Sequence, residues 1–198
     1  HPRKELIGAC RYCPPRNFVA VDSGKPYISR EYNHYKSQST FAHWYLTGDR
    51  RSYEACEVLA NNVLNNRAAD SGWAKRGIGA HILGLWNAYE LWRDPEYFKR
   101  MKQIAYKAMA QGKRGRFSKG GAFIDGIAYE GITHYYWVSG DQAALDCLKT
   151  AMPRARAKGR YPNMALALAM TARLTNDKDL ADAAWKSLGR QKPSSRVH

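Results

Sequence analysis

A chain of 198 residues suffices for one domain with a sizeable core, and 44% apolar residues is ordinary for a globular protein. No run approaches the ~20 apolar residues of a membrane-spanning helix, so no membrane span is expected. Lys and Arg number 32 against 17 Asp and Glu, a net charge of +15 that points to a polyanionic partner: an acidic polysaccharide, a nucleic acid or an anionic lipid surface.

Residues 1–32 carry no helical period. Pro14-Pro15 and Gly24-Lys25-Pro26 predict an irregular, extended lead-in. Cys10 and Cys13 have C-x-x-C spacing, but zinc needs a second ligand pair, and Cys56 and Cys147 stand alone in predicted helices. A c-type haem site needs His directly after Cys13, where Pro14 stands; a thioredoxin-like role needs a strand–helix context that is missing. Disulfides or plain thiols are expected, with the pairing open, and neither metal nor cofactor. No signal peptide is visible, and a first residue His1 fits a removed leader or a piece of a longer protein. An extracellular or periplasmic setting is expected.

From Asn33 the apolar residues fall at helical spacing. Asn33–Leu46 is predicted as a helix, Thr47-Gly48-Asp49 as a turn and Ser52–Leu64 as a returning helix. Gly48 supplies the helix stop and Asp49 the polar start of the next. The pattern then recurs: Ile78–Trp92 turns at Arg93-Asp94-Pro95 and returns as Glu96–Met109; Asp125–Val138 turns at Ser139-Gly140-Asp141 and returns as Gln142–Met152; Pro162–Leu174 turns at Thr175-Asn176-Asp177 and returns as Lys178–Leu188. The turns at Gly48, Arg93, Gly140 and Asn176 lie 45, 47 and 36 residues apart. Aligned on them, small residues share one column (Ser39, Gly84, Gly131, Ala167) and bulky apolar residues another (Leu46, Leu91, Val138, Leu174). Four helix pairs repeated in this way predict an all-α fold, an α/α toroid arc or open solenoid over residues 33–191. Residues 192–198 read as a polar, disordered tail.

Charge follows the repeat. The turns inside pairs carry Asp49, Asp94, Glu96, Asp141, Asp177 and Asp179. The links between pairs carry Arg67, Lys75 and Arg76, then Lys113, Arg114, Arg116 and Lys119, then Arg154, Arg156, Lys158 and Arg160. In a stack of pairs the links gather at one end, where every first helix begins, so helix dipoles add to a basic rim there.

Candidate site residues cluster at those helix starts. Glu31, Asn33, His34 and Tyr35 open the first pair, and Arg76 precedes two glycines at the start of the second, where it is placed to clamp a carboxylate. Gly77-Ile-Gly79 is no dinucleotide fingerprint, because no strand precedes it. His81 reads as a buried histidine. Asp125, Tyr129 and Glu130 mark the start of the third pair, with His134, Tyr135 and Tyr136 read as packing residues. On the turn alignment Ser37 shares a level with Ile82 and Tyr129, and Gln38 with Leu83 and Glu130, a polar alternation that a local cleft would produce.

Three stretches carry a resemblance. His34 before a helix ending Trp44-Tyr-Leu-Thr-Gly-Asp49, Arg76-Gly-Ile-Gly79 before a helix ending Ala88-Tyr-Glu-Leu-Trp92, and Phe123-Ile-Asp-Gly-Ile-Ala-Tyr-Glu-Gly131 together resemble the α/α-toroid portion of bacterial polysaccharide-degrading proteins, nearest to exo-rhamnogalacturonan-lyase-like proteins. The Leu-Thr-Gly-Asp turn is shared by six-hairpin glycosidases and lyases and marks architecture more than chemistry. Four pairs without a β-domain would be a partial toroid. The resemblance implies a lyase-like module acting on an acidic polysaccharide. Arg76 and Asn33 would neutralise a uronate carboxylate, His34 would remove the α-proton, and Tyr35 or Tyr129 would protonate the leaving oxygen. A hydrolase would instead pair Asp125 with Glu130 or Glu31. Two further readings stand beside it: head-to-tail assembly of stacked pairs into rings or filaments, and non-specific nucleic-acid binding.

Overall fold

A computed structural model describes residues 37–65, 75–112, 122–155 and 162–189. These form eight α-helices with no strand among the described residues: α1 Gln38–Thr47, α2 Arg50–Asn65, α3 Lys75–Trp92, α4 Pro95–Gly112, α5 Ala122–Ser139, α6 Gln142–Ala155, α7 Pro162–Thr175 and α8 Lys178–Gly189. The fold is all-α and built of helical hairpins. The lead-in, most of the links, the tail, Cys10 and Cys13 lie outside the described residues.

The four expected turns share one construction. Gly48, Arg93, Gly140 and Asn176 all take φ near +60°, at +65°, +55°, +64° and +55°. A left-handed residue reverses the chain at a helix C-terminus and brings its N–H back onto the last turn. Thus the N–H groups of Gly48, Arg93 and Gly140 donate to the carbonyls of Trp44, Tyr89 and Tyr136, each at 2.8 Å. An aspartate follows every time and caps the returning helix. Asp49 accepts the Ser52 N–H at 2.9 Å, Asp94 the Glu96 N–H at 2.9 Å, Asp141 the Ala143 N–H at 3.0 Å and Asp177 the Leu180 N–H at 3.1 Å. In three turns a hydroxyl just before the reversal ties off the preceding helix: Thr47, Ser139 and Thr175 donate to the carbonyls of His43, Tyr135 and Thr171.

Most helix ends differ from the sequence expectation by a few residues, and two of the differences have a local reason. α4 starts at Pro95, where a missing N–H costs nothing because first-turn donors have no partner within the helix. α6 runs through Pro153 to Ala155; an exposed proline this close to the C-terminus removes one bond of the ladder without ending the helix.

The chain divides into two compact units, His1–Tyr106 and Lys107–His198. In the first, α1, α2 and α3 pack on one another. Phe41, Cys56, Ala60 and Ala88 form a buried cluster, with Trp44, Leu59, Leu91, Trp92 and Tyr97 against it. The Tyr53 ring stands edge-on to Trp44 and Trp92, at 5.0 and 5.8 Å, and its hydroxyl accepts the Trp92 indole N–H at 2.8 Å. Nine consecutive residues of α3, 77–85, are buried, which requires neighbours on every side of the helix. Gly77, Gly79, Ala80 and Gly84 keep it slim enough for that. His81, within this run, is fully buried, and its Nδ1–H donates to the Gly77 carbonyl at 2.9 Å.

In the second unit α5 packs on α6 and α7, α6 on α7, and α7 on α8. Tyr129, Ile132 and Tyr135 of α5 are buried, as are Leu148 and Met152 of α6 and Met164 and Leu168 of α7. Each large apolar side chain so buried contributes about 1.5–3 kcal/mol. Within each unit, first helices touch one another (α1 with α3, α5 with α7), while the second helices bury one stripe and expose the other, as a covering layer does. Cys56 and Cys147 are buried on second helices, neither in a disulfide among the described residues. The small-residue column is interior at Gly84, Gly131 and Ala167 but exposed at Ser39. The bulky column splits: Leu91 packs in the core, whereas Leu46 stays 85% exposed.

Candidate functional site

Glu31, Asn33, His34 and Tyr35 lie outside the described residues, and Arg76 is described only as backbone in the first turn of α3. Asp125, Tyr129 and Glu130 all fall on α5. Asp125 and Tyr129 are one turn apart and both fully buried. Burial, then the Asp125 charge, pushes the Tyr129 phenol well above its ordinary value; Cys147 adds to this and Arg154 opposes it. The groups that act on the phenol come from both helices of the hairpin, Asp125 one turn back on α5 and Cys147 and Arg154 on α6. A phenol held in this way keeps its proton across the physiological range.

Glu130 is half-buried and five residues beyond Asp125. Five helical steps turn the side chain by about 140°, so the two carboxylates do not face a common space as a hydrolytic pair requires. Ser37, level with Tyr129 in the repeat, is likewise buried. Ser37 and Tyr129 are thus packed inside the hairpins, whereas Gln38, one residue on, is exposed.

At the opposite end, where α5 and α7 reach their turns, is a cavity of about 300 Å³ lined by Thr133, Tyr136, Trp137, Gly140, Met170, Arg173 and Leu174. Trp137 is 66% exposed. Its ring is stacked on His134, with centroids 6.4 Å apart and planes 16° apart. Burial pushes His134 down to about 4, so it is neutral at pH 7. Arg173 meets no carboxylate at ion-pair distance among the described residues. An open indole face beside an unpaired guanidinium is suited to a ring that carries an acidic group.

No family model, curated protein or solved structure matches this chain. Among the described residues no group of three or more His, Cys, Asp or Glu could hold a metal ion, and no helix is long and apolar enough to cross a membrane.

The sequence reading did not single out Trp137 or Arg173, and it grouped Tyr136 with the packing residues. Only Tyr135 of the three neighbours His134, Tyr135 and Tyr136 is fully buried; the other two are half-buried. A usable signal was present. Trp137 stands three residues before its turn, level with Tyr45 and Arg173, and all three are exposed. An indole at an outward level of a repeat is the feature that distinguishes a surface aromatic from a core one.

Charge is divided sharply along the chain. Of the 32 Lys and Arg and 17 Asp and Glu, 14 and 13 fall in the described residues, leaving 18 and 4 outside them. The hairpins are nearly balanced, and the positive surplus belongs to the lead-in, the links and the tail.

Proposed function

We propose that this chain is a helical-hairpin module that engages an acidic polysaccharide through the basic segments joining its helix pairs. The observation that carries the reading is the division of charge: near balance inside the hairpins, and 8 basic against 1 acidic residue in the links 66–74, 113–121 and 156–161. If the surplus served only solubility, it would have no reason to avoid the exposed faces of α2, α4, α6 and α8. The links lead into the N-termini of α3, α5 and α7, and helix N-termini favour carboxylate or sulfate groups.

The lyase-like chemistry is the finer part of the proposal. Asn33 and Arg76 would hold a uronate carboxylate, His34 would take the proton, and Tyr35 would return one; the buried Tyr129 is the less accessible alternative donor. The test is the appearance of ultraviolet-absorbing unsaturated ends when the chain is incubated with uronate polymers. Cleavage that disappears in His34→Ala supports the assignment. Cleavage that persists unchanged in that variant removes His34 as base, and polymer binding without any cleavage leaves a binding module.

A second reading is self-association of hairpin stacks. It is favoured by the last pair, where Trp185 of α8 is 74% exposed and Leu188 lies in the same exposed groove. Light scattering separates the two: a particle of one chain mass that retains the polymer supports binding alone. Nucleic-acid binding is the third reading, and competition between a pectin-like polymer and DNA orders it against the first.

A further inference from the structure

An open cavity of about 730 Å³ lies between α2 and the turn that joins α3 to α4, lined by Glu57, Val58, Asn61, Trp92, Asp94 and Tyr97. Its size is within the range of small-molecule sites. Trp92 and Tyr97 supply two aromatic faces, with centroids 5.9 Å apart and planes tilted by 36°. The Trp92 indole N–H is already donated to Tyr53, so that ring offers a face and not a donor.

Two carboxylates from separate elements complete the lining, Glu57 from α2 and Asp94 from the turn. Both lie close enough to the Tyr97 phenol to raise its pKa, after the larger effect of burial, so they converge on one space. Neither meets a Lys or Arg at ion-pair distance among the described residues. Asp94 Oδ1 accepts the Glu96 N–H at 2.9 Å, which leaves Oδ2 for another donor.

In a chain of net charge +15 this is a local inversion: aromatic faces and two carboxylates without a cation. An anion would be repelled, and a neutral ring would leave both charges unpaired. Aromatic faces together with carboxylates are the combination that recognises organic cations. We propose that this cavity binds a primary ammonium or guanidinium group, seated over the Trp92 and Tyr97 rings and between the Glu57 and Asp94 carboxylates. The cation comes either from a free polyamine or from a Lys or Arg side chain of a peptide; the recognition chemistry is the same. The proposal goes beyond the polysaccharide reading and does not depend on it, because every residue of the cavity lies in the described hairpins and none in the basic links.

The experiment is calorimetric titration of the full chain with spermidine and, separately, with a capped arginine dipeptide, using a neutral sugar alcohol as control. The comparison variant is Glu57→Gln with Asp94→Asn, in which Asn still caps α4. At low salt the unmodified chain binds at least one cation, and the double variant binds it roughly tenfold more weakly or worse. Circular dichroism of the variant matches that of the parent. Tighter spermidine binding assigns the site to a free polyamine, and tighter arginine binding assigns it to a peptide side chain. Absence of binding by both cations, or equal binding by parent and double variant, overturns the proposal. Retention on a uronate polymer is unchanged in the variant, so failure here is distinguishable from failure of the polysaccharide reading.

Discussion

Gly140→Ala probes the device on which every hairpin depends. Gly140 takes φ +64°, and a Cβ built there meets nothing within 4 Å. Sterics with neighbours therefore add nothing; a left-handed L-residue costs about 1–2 kcal/mol, and the stiffer unfolded chain offsets about 0.5–1 kcal/mol of it, a net loss of roughly 0.5–1 kcal/mol. In a chain of this size each kcal/mol moves Tm by roughly 2–4 °C, so differential scanning calorimetry should show a fall of about 1–4 °C. The urea midpoint should fall with an unchanged m value. Arg93 is the internal control, because it occupies the same turn position at φ +55° with a side chain already present. Arg93→Gly recovers about 1–2 kcal/mol of backbone strain. It loses about 0.5–1 kcal/mol through the freer unfolded chain. It also loses the partly exposed Glu90 ion pair at 2.8 Å, worth about 0–1 kcal/mol, and the stacking of its guanidinium over the Tyr89 ring at 5.3 Å. The net change is expected within about 1 kcal/mol of zero. A Gly140→Ala protein as stable as the parent, or more stable, would refute the reasoning, since α5 would then run on into α6 without a left-handed reversal.

Three further outcomes are expected. Trp92→Phe removes the indole donor to Tyr53 and part of a three-ring contact, and should lower stability by about 2 kcal/mol in chemical denaturation. His134, held near 4 by burial against an unfolded value of 6.5, binds fewer protons folded than unfolded between those limits; its contribution is complete above pH 6.5 and lost as pH falls toward 4. That loss amounts to about 3 kcal/mol at most and should be absent from the pH dependence of Tm in His134→Gln. Cys56 is fully buried, with its thiol pushed up to about 11, so in the folded chain at pH 8 it should resist a thiol reagent, mapped by peptide mass analysis, and react once urea unfolds the protein.

Much of the fold was legible because its turns are written in residue types with few other uses. Gly48, Gly140 and Asn176 are residues that tolerate the left-handed region, an aspartate follows each reversal, and period and spacing located Arg93 at the equivalent position in spite of its side chain. The interior of α3 was legible too, since glycines and alanines among Ile and Leu have no reason to face water. What sequence could not supply was the direction of a side chain that is apolar and yet outward. Leu46 and Leu91 occupy one repeat column, but only Leu91 has neighbours to cover it. Adjacent aromatics are separated only by their repeat level: Tyr135 is fully buried with its hydroxyl donating to Asp141 at 2.7 Å, while Trp137, two residues on, shares the level of Arg173 and faces out. The candidate site was legible as composition at helix starts, but the burial of Asp125 and Tyr129 depends on which helices pack beside α5. The Glu57–Asp94 convergence joins two hairpins and leaves no trace in either stretch alone.

The central claim, that basic links between nearly neutral hairpins hold an acidic polymer, is tested most directly by the salt dependence of binding. The variant is Lys113, Arg114, Arg116 and Lys119 all changed to Gln, compared with the parent on a uronate polymer by titration across a salt series. The account predicts weaker binding and a log affinity–log salt slope shallower by roughly one for each cation that had faced the polymer, with the helical signal unchanged. Equal affinity and equal slope for the two proteins would contradict it.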